Sequence, residues 1–336
     1  MLLIGIAPSA FAQYENESDA TIPLDKFYIK RQGSGGLRRI LTKLHWGLST
    51  GYGHSTLKHK LDGFSILQNP DSAVRIFSNA DPSKAYANWF NNAVPVDVGN
   101  SASAPGSTVI SSQTSKIGFK SKAFSIPFKA TVHYEFNRYR IGGGYSIEYM
   151  RIGPFAPISH GDKIHGFAPQ VSSLWMKHYF GMLGGMVYRY EQYDLVVDAN
   201  IGGYKLGGGF NNGLIKKGIY FNLGVTAERE MSEYFRVFVR PSYEIKSYTL
   251  NMPDAGHSIK HRFNAYYINI GATYRIPELR RCFLKDCHAQ LNHAHGNKEY
   301  RSRRHPIYKK QNPHYGENYP VILKYKGKNK KKLNPY

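Results

Sequence analysis

Along most of the chain, apolar and polar residues alternate with a period of two, the spacing that sends successive side chains to opposite faces of a β-strand. Around residues 44–52, Leu44, Trp46, Leu48, Thr50 and Tyr52 share one face, while Lys43, His45, Gly47, Ser49 and Gly51 share the other. Residues 124–136 set Phe124, Ile126, Phe128, Ala130, Val132, Tyr134 and Phe136 against Ser125, Lys129, Thr131, His133 and Glu135. The same alternation returns over 139–151, 193–204, 217–229, 234–247 and 264–276, and more weakly over 175–190, where Phe180, Met182, Met186, Tyr188 and Tyr190 share one side. It predicts eight strands. Most are longer than the roughly 5–6 residues usual in globular sheets and reach the roughly 9–11 that a membrane-crossing strand needs.

The connections differ in length. Tight turns are expected at Asn137-Arg138, at Glu191-Gln192 and near Met231-Ser232, and longer loops over about 55–115, 152–174, 205–216 and 248–262. Tight turns at one end and long loops at the other fit an up-and-down transmembrane barrel, with both termini on the tight-turn, periplasmic side. The fold class expected is therefore all-β, an eight-stranded antiparallel transmembrane barrel over 40–276. A water-soluble barrel of the lipocalin kind would show the same alternation turned inside out. The tyrosine-rich apolar face and the loop asymmetry favour lipid. The long first loop carries Trp89 and Phe90 in an otherwise polar stretch, so it either covers the mouth of the barrel or meets an external partner.

The start of the chain fits this picture. Residues 1–12 form a short apolar run ending Ala10-Phe11-Ala12, which reads as the end of a secretory signal peptide without its basic beginning. Residues 13–39 follow as a periplasmic segment. No run approaches the roughly 20 apolar residues of a spanning helix.

Composition adds the interior and the partners. In the predicted register the polar face carries Lys43, Lys129, Arg140, Arg189, Arg236, Arg240, Lys246 and Arg275, and against them Glu135, Glu148, Asp194, Asp198, Glu228 and Glu244. Eight strands leave a lumen just wide enough to be filled by side chains. Near-balanced charges inside it are expected to pair, giving a plug rather than a pore. His45 and His133 near Glu135 are the only arrangement that invites an enzymatic reading, and a histidine beside a carboxylate is more often structural. The glycines at 142–144 and 207–209 precede no helix pattern, so they fail the context of a phosphate-binding loop and suit a small curved barrel. No catalytic residue, cofactor or metal is assigned.

Cys282 and Cys287, the chain's two cysteines, lie just past the last strand. In an oxidising compartment a small disulfide loop is the first expectation. The metal alternative adds His288, His293 and His295 in a C-x4-C-H-x4-H-x-H spacing, soft ligands suited to zinc, although the spacing matches no familiar finger.

The net charge is +22 over 336 residues, which calls for an anionic partner. Residues 277–336 hold 15 Lys+Arg against 4 Asp+Glu, a net of +11, so half the excess lies in this basic periplasmic tail. Arg280, Arg281, Arg301, Arg303, Arg304, Lys309, Lys310, Lys330, Lys331 and Lys332 are its candidate partner-binding residues, interleaved with Tyr300, Tyr308, Tyr315, Tyr319 and Tyr325. Basic residues among aromatics suit single-stranded nucleic acid in other compartments. An exported chain meets none, so the expected partners are outer-membrane lipid and a periplasmic protein assembly or peptidoglycan.

The signal-like start, the eight alternating runs and the ending Gly271-Ala272-Thr273-Tyr274-Arg275-Ile276 resemble the outer-membrane β-barrel proteins of Bacteroidota, of the OmpX-like and PorT-like kind. The resemblance spans 40–276 and rests on generic patterns. The basic extension departs from a minimal barrel and is similar to what a PorG-like barrel subunit of the type IX secretion apparatus would use against a periplasmic ring. The resemblance implies an outer-membrane location and a non-enzymatic, anchoring or recruiting role in protein secretion. A small transport or ligand-binding barrel and an outer-membrane enzyme are the alternatives.

Overall fold

The computed structural model describes residues 36–70, 74–81, 83–97, 105–190, 192–232, 234–284, 287, 293–295 and 298–301. The signal-like residues 1–12, most of 13–39 and the tail beyond 301 lie outside them.

A six-residue helix, α1 (Gly36–Leu41), leads into β1 (Leu44–Lys60). An insertion follows and forms five short strands: β2 (Phe64–Gln68), β3 (Arg75–Ser78), β4 (Lys84–Ala87), β5 (Val94–Asp97) and β6 (Thr108–Ser111). The chain returns as β7 (Gly118–Phe136) and turns at Asn137-Arg138 into β8 (Tyr139–Ile152). Asn137 takes the left-handed conformation (φ 52°), which asparagine tolerates better than most residues and which a two-residue hairpin turn requires. A brief β9 (Ala156–Pro157) precedes β10 (Ser173–Tyr190) and β11 (Tyr193–Leu206). Then come β12 (Ile215–Lys217), β13 (Tyr220–Glu230), β14 (Phe235–Met252) and β15 (His257–Arg275). Past β15, β16 (His293–His295) and β17 (Lys298–Tyr300) form a small hairpin.

The eight long strands pair antiparallel in the order β1-β15-β14-β13-β11-β10-β8-β7, and β7 pairs with β1, so the sheet closes into a ring. The only helix among the described residues longer than a single turn is α1, and none is long and apolar enough to cross a membrane. The ring has a turn end, where three connections are tight, and an insertion end.

The strands run further toward the insertion end than their alternation predicts. β1 continues to Lys60, β7 begins at Gly118, and β14 and β15 extend to Met252 and from His257. The expected long loop over 248–262 is a four-residue connection containing a 3-10 turn, Pro253–Ala255. The physical reason is a reversal of polarity along single strands. On β1, the outward residues change from Trp46, Leu48 and Tyr52 to Lys58 and Lys60, while the inward ones change from His45 and Ser49 to Leu57 and His59. The backbone period is unbroken, but apolar and polar residues exchange faces.

In the turn-end half, the side chains facing away from the ring are apolar and exposed: Leu48, Ile141, Leu183, Ile268 and Ile270 are each more than half exposed. Exposed aromatics flank this band on both sides, with Phe136, Tyr139, Tyr190 and Tyr193 near the turns and Tyr52, Trp175, Tyr179 and Tyr266 toward the insertion. The buried inward face is mostly polar, with Phe180 and Val196 among its few apolar members. This is the inverse of a soluble barrel.

The insertion packs its own sheet, in the order β5-β4-β3-β2-β6, against the far end of the ring. There the inward residues are apolar and merge with the insertion in one core, including Leu57, Trp89, Phe90, Phe119, Phe155, Tyr248 and Phe263.

Candidate functional site

The lumen of the ring is built by facing polar side chains from all eight strands. Near the turns, Arg140 reaches Glu228 at 2.7 Å and Glu135 at 2.7 Å. Arg236 binds Glu135 at 2.9 Å and lies 3.5 Å from Glu228. Arg189 holds Asp194 at 2.7 Å and Glu230 at 2.9 Å. His45 and His133 stack on each other with centroids 5.1 Å apart, and each lies 3.3 Å from Glu135. Higher up, Arg240 is bound to Asp198 through two nitrogens and donates to Asn222 at 2.8 Å, while Thr226 donates to Asp198 at 2.7 Å. A third layer centres on Lys246, which is fully buried between Glu244 (2.8 Å) and Glu148 (3.0 Å). Tyr267 also donates to Glu148, His178 lies 3.3 Å from it, and Asn222 donates to Glu244 at 3.1 Å.

Two glycines make room for this stack. A Cβ on Gly53 would sit 2.2 Å from the ring of Tyr267, its cross-strand partner, and one on Gly224 would sit 2.5 Å from the Arg240 guanidinium. The tyrosine and the arginine thus lie flat across bare backbone, a packing that no other residue permits.

All six acids expected on the inward face lie there. Of the eight bases, Lys129, Arg140, Arg240 and Lys246 are buried and Arg236 nearly so. Arg189, Lys43 and Arg275 sit at the turn-end rim, Lys43 over the ring of Tyr134 and Arg275 over that of Tyr234. Lys129 lies 5.4 Å over the ring of Tyr267. A void of about 50 Å³ lies among these groups, room for a few molecules the size of water.

At the insertion end Trp89 and Phe90 cover the lumen. The Trp89 indole donates to His59 Nε2 at 3.0 Å, and the Tyr248 hydroxyl donates to the Phe90 carbonyl. Asn91 adds a bond to the Gly209 carbonyl at 2.5 Å. Of the two roles open to the long first loop, the structure shows the cover.

Past the ring, Arg38 of α1 donates to the carbonyls of Pro277 and Glu278 at 2.9 and 2.8 Å. Arg281 and Arg301 form an isolated parallel bridge, and the Arg301 amide donates to the Arg280 carbonyl at 2.9 Å. Cys282 and Cys287 are not bonded to each other in the structure. Cys282 Sγ lies 3.3 Å from His295 Nε2, and Cys287 Sγ lies 3.1 Å from His293 Nε2. His288, Arg303, Arg304, Lys309, Lys310, Lys330, Lys331 and Lys332 fall outside the described residues. Sequence reasoning missed the Arg38 clasp, because an arginine that binds backbone carbonyls leaves no pattern in composition or spacing.

No known protein family and no curated protein matches the chain. Among solved structures it is similar to the outer membrane protease OmpT from Escherichia coli (15% identity, TM-score 0.31, covering 69% of this chain and 96% of that one). It is similar also to the outer membrane protein OprG from Pseudomonas aeruginosa (8%, 0.30, 69% and 96%) and to a Pseudomonas aeruginosa FadL homologue (8%, 0.26, 69% and 90%). Likenesses this distant carry no residue and no activity over to this chain.

Proposed function

We propose that the chain is an outer-membrane β-barrel with a sealed lumen, both ends of the ring's chain on the periplasmic side, and a basic C-terminal segment that anchors or recruits a periplasmic assembly. One observation carries the membrane reading: the apolar face of the closed sheet points outward, and the buried face is charged. In water that arrangement would expose a continuous apolar band while burying ion pairs. In lipid it satisfies both faces, with aromatic girdles at the two interfaces. The outward change to Lys58, Lys60, Lys120, Lys122, Lys260 and Arg262 toward the insertion marks where the hydrocarbon ends. Short turns on the periplasmic side are the rule for bacterial barrels.

The ion-pair stack and the cover of Trp89 and Phe90 favour a plug over a channel. Single-channel recording in planar bilayers is expected to show no steady conductance. Glu135 is engaged by two arginines as well as two histidines, which supports a structural role for His45 and His133 and a protein that is not an enzyme. His45→Ala and His133→Ala are expected to leave envelope phenotypes intact.

The anchoring role rests on the +11 of residues 277–336 and on the exit of the chain at the turn end beside Arg38. Secretion machinery of the type IX kind, as in PorG-like barrels of Bacteroidota, is the first candidate partner, and peptidoglycan the second. Membrane fractionation with heat-modifiable gel migration tests the barrel. Co-purification from cross-linked envelopes, comparing the whole chain with one lacking 302–336, tests the anchor. Unchanged partners and unchanged envelope attachment would remove it.

A further inference from the structure

We infer that the segment past the ring holds a structural zinc ion on Cys282, Cys287, His293 and His295. The inference is independent of what the tail binds. One ligand atom from each of the four residues lies within 4.8 Å of all the others. In tetrahedral zinc with two sulfurs and two nitrogens, neighbouring ligand atoms sit roughly 3.3–3.8 Å apart. The two thiol–imidazole contacts are already 3.3 and 3.1 Å, so closing the set needs small side-chain movements.

The local chain is arranged for this. His293 and His295 stand two apart on β16, which puts both on one face of the hairpin. Their rings meet edge-on at 86° rather than stacking, so the nitrogens converge while the planes diverge. Cys282 is fixed by its amide donating to the Arg301 carbonyl, and Cys287 by a turn onto the Leu284 carbonyl. Phe283 packs on the rings of His295 and Tyr300. Each thiol thus faces an imidazole, the partner it has when both bind one metal.

The described part of the segment also has little buried core. Among the described residues from 280 to 301, Cys282 is the only buried side chain. Hairpins with so little core are the ones that take their folding energy from a metal. Two thiolates with two imidazoles select zinc over calcium or magnesium, and four protein ligands leave no open position, so the site is structural. The lumen has two further clusters, His45 with His133 and Glu135, and Glu148 with His178 and Glu244. Arginine and lysine already occupy both, and they carry no metal in this proposal. Zinc at the hairpin would hold Arg280, Arg281 and Arg301 in fixed positions beside the ring.

The test uses the whole chain, purified in detergent under mild reductant and loaded with zinc alone. About one zinc per chain should survive gel filtration. A thiol-modifying reagent should release it, and cobalt(II) in its place should give the visible absorption of a tetrahedral thiolate complex. Cys282→Ser with Cys287→Ser, and separately His293→Ala with His295→Ala, should abolish retention while heat-modifiable migration stays unchanged. Zinc retained by the double cysteine variant would place the ion elsewhere and overturn the proposal. So would a wild-type chain that binds no zinc with both thiols reduced. A third overturning result is a chain isolated from envelopes that is two hydrogen masses light and resists alkylation, the signature of a disulfide.

Discussion

At the turn end, β15 sends Tyr266, Ile268 and Ile270 outward and Asn269 and Thr273 inward. At the insertion end the same strand sends Lys260 and Arg262 outward and Ile259 and Phe263 inward. Strands β1 and β14 show the same exchange. Geometry and hydrogen bonding are alike in both halves, so the strand itself does not decide which face is greasy. The surroundings do. Where hydrocarbon is outside, the interior must satisfy its charges internally. Where water is outside, the interior becomes an ordinary aromatic core, closed here by Trp89 and Phe90.

The largest effect is expected from breaking the polar half at Lys246. Lys246→Met leaves Glu148 and Glu244 buried without their cation and should cost about 3–5 kcal/mol, read as the urea midpoint of the folded, heat-modifiable form in detergent or vesicles. Adding Glu148→Gln and Glu244→Gln should recover much of the loss, because well-packed neutral groups replace a broken pair. No recovery would mean that the triad is not an electrostatic unit. In the apolar half, Trp89→Ala should cost about 3–5 kcal/mol, but the loss should fall on the insertion. Proteolysis within 61–117 should speed up while the ring still migrates as folded. Ile268→Arg, in the outward band, should cost about 2–4 kcal/mol in lipid, and Asn264→Arg, four residues toward the insertion on the same face, about 0–1 kcal/mol. Equal costs would mean that both positions face the same medium. Gly224→Ala is expected to cost about 1–3 kcal/mol through displacement of Arg240 from Asp198.

Much of the turn-end half was legible because apolar residues there alternate with polar ones; β10 was not, since Phe180, read on the apolar outer face, is buried inside while Leu183 lies outside. Trp46 to Tyr52 and Tyr266 to Ile270 gave the faces directly, and the acids from Glu135 to Glu244 all lie where the alternation puts them. The insertion-end half was hidden for the same reason reversed. Lys58 and Lys260, read by the rule of the other half, look like loop residues, so β1, β14 and β15 seem to stop early. The pairing of Arg240 with Asp198 and of Lys246 with Glu148 depends on strands far apart in sequence, which no spacing reveals. Trp89 and Phe90 stood out by type in a polar stretch, but their contacts with His59 and Tyr248 needed the folded insertion.

Arg38 grips the backbone immediately after β15, beside the seam where the first and last strands meet. That seam is a ladder of 15 residue pairs, from His45↔Arg275 to His59↔His261. A pull on the C-terminal segment is therefore directed along the ladder, and all of its rungs share the load at once. Unzipping one rung at a time would need a force applied across the strands. If the proposed anchor attaches at this point, the joint would resist tension well.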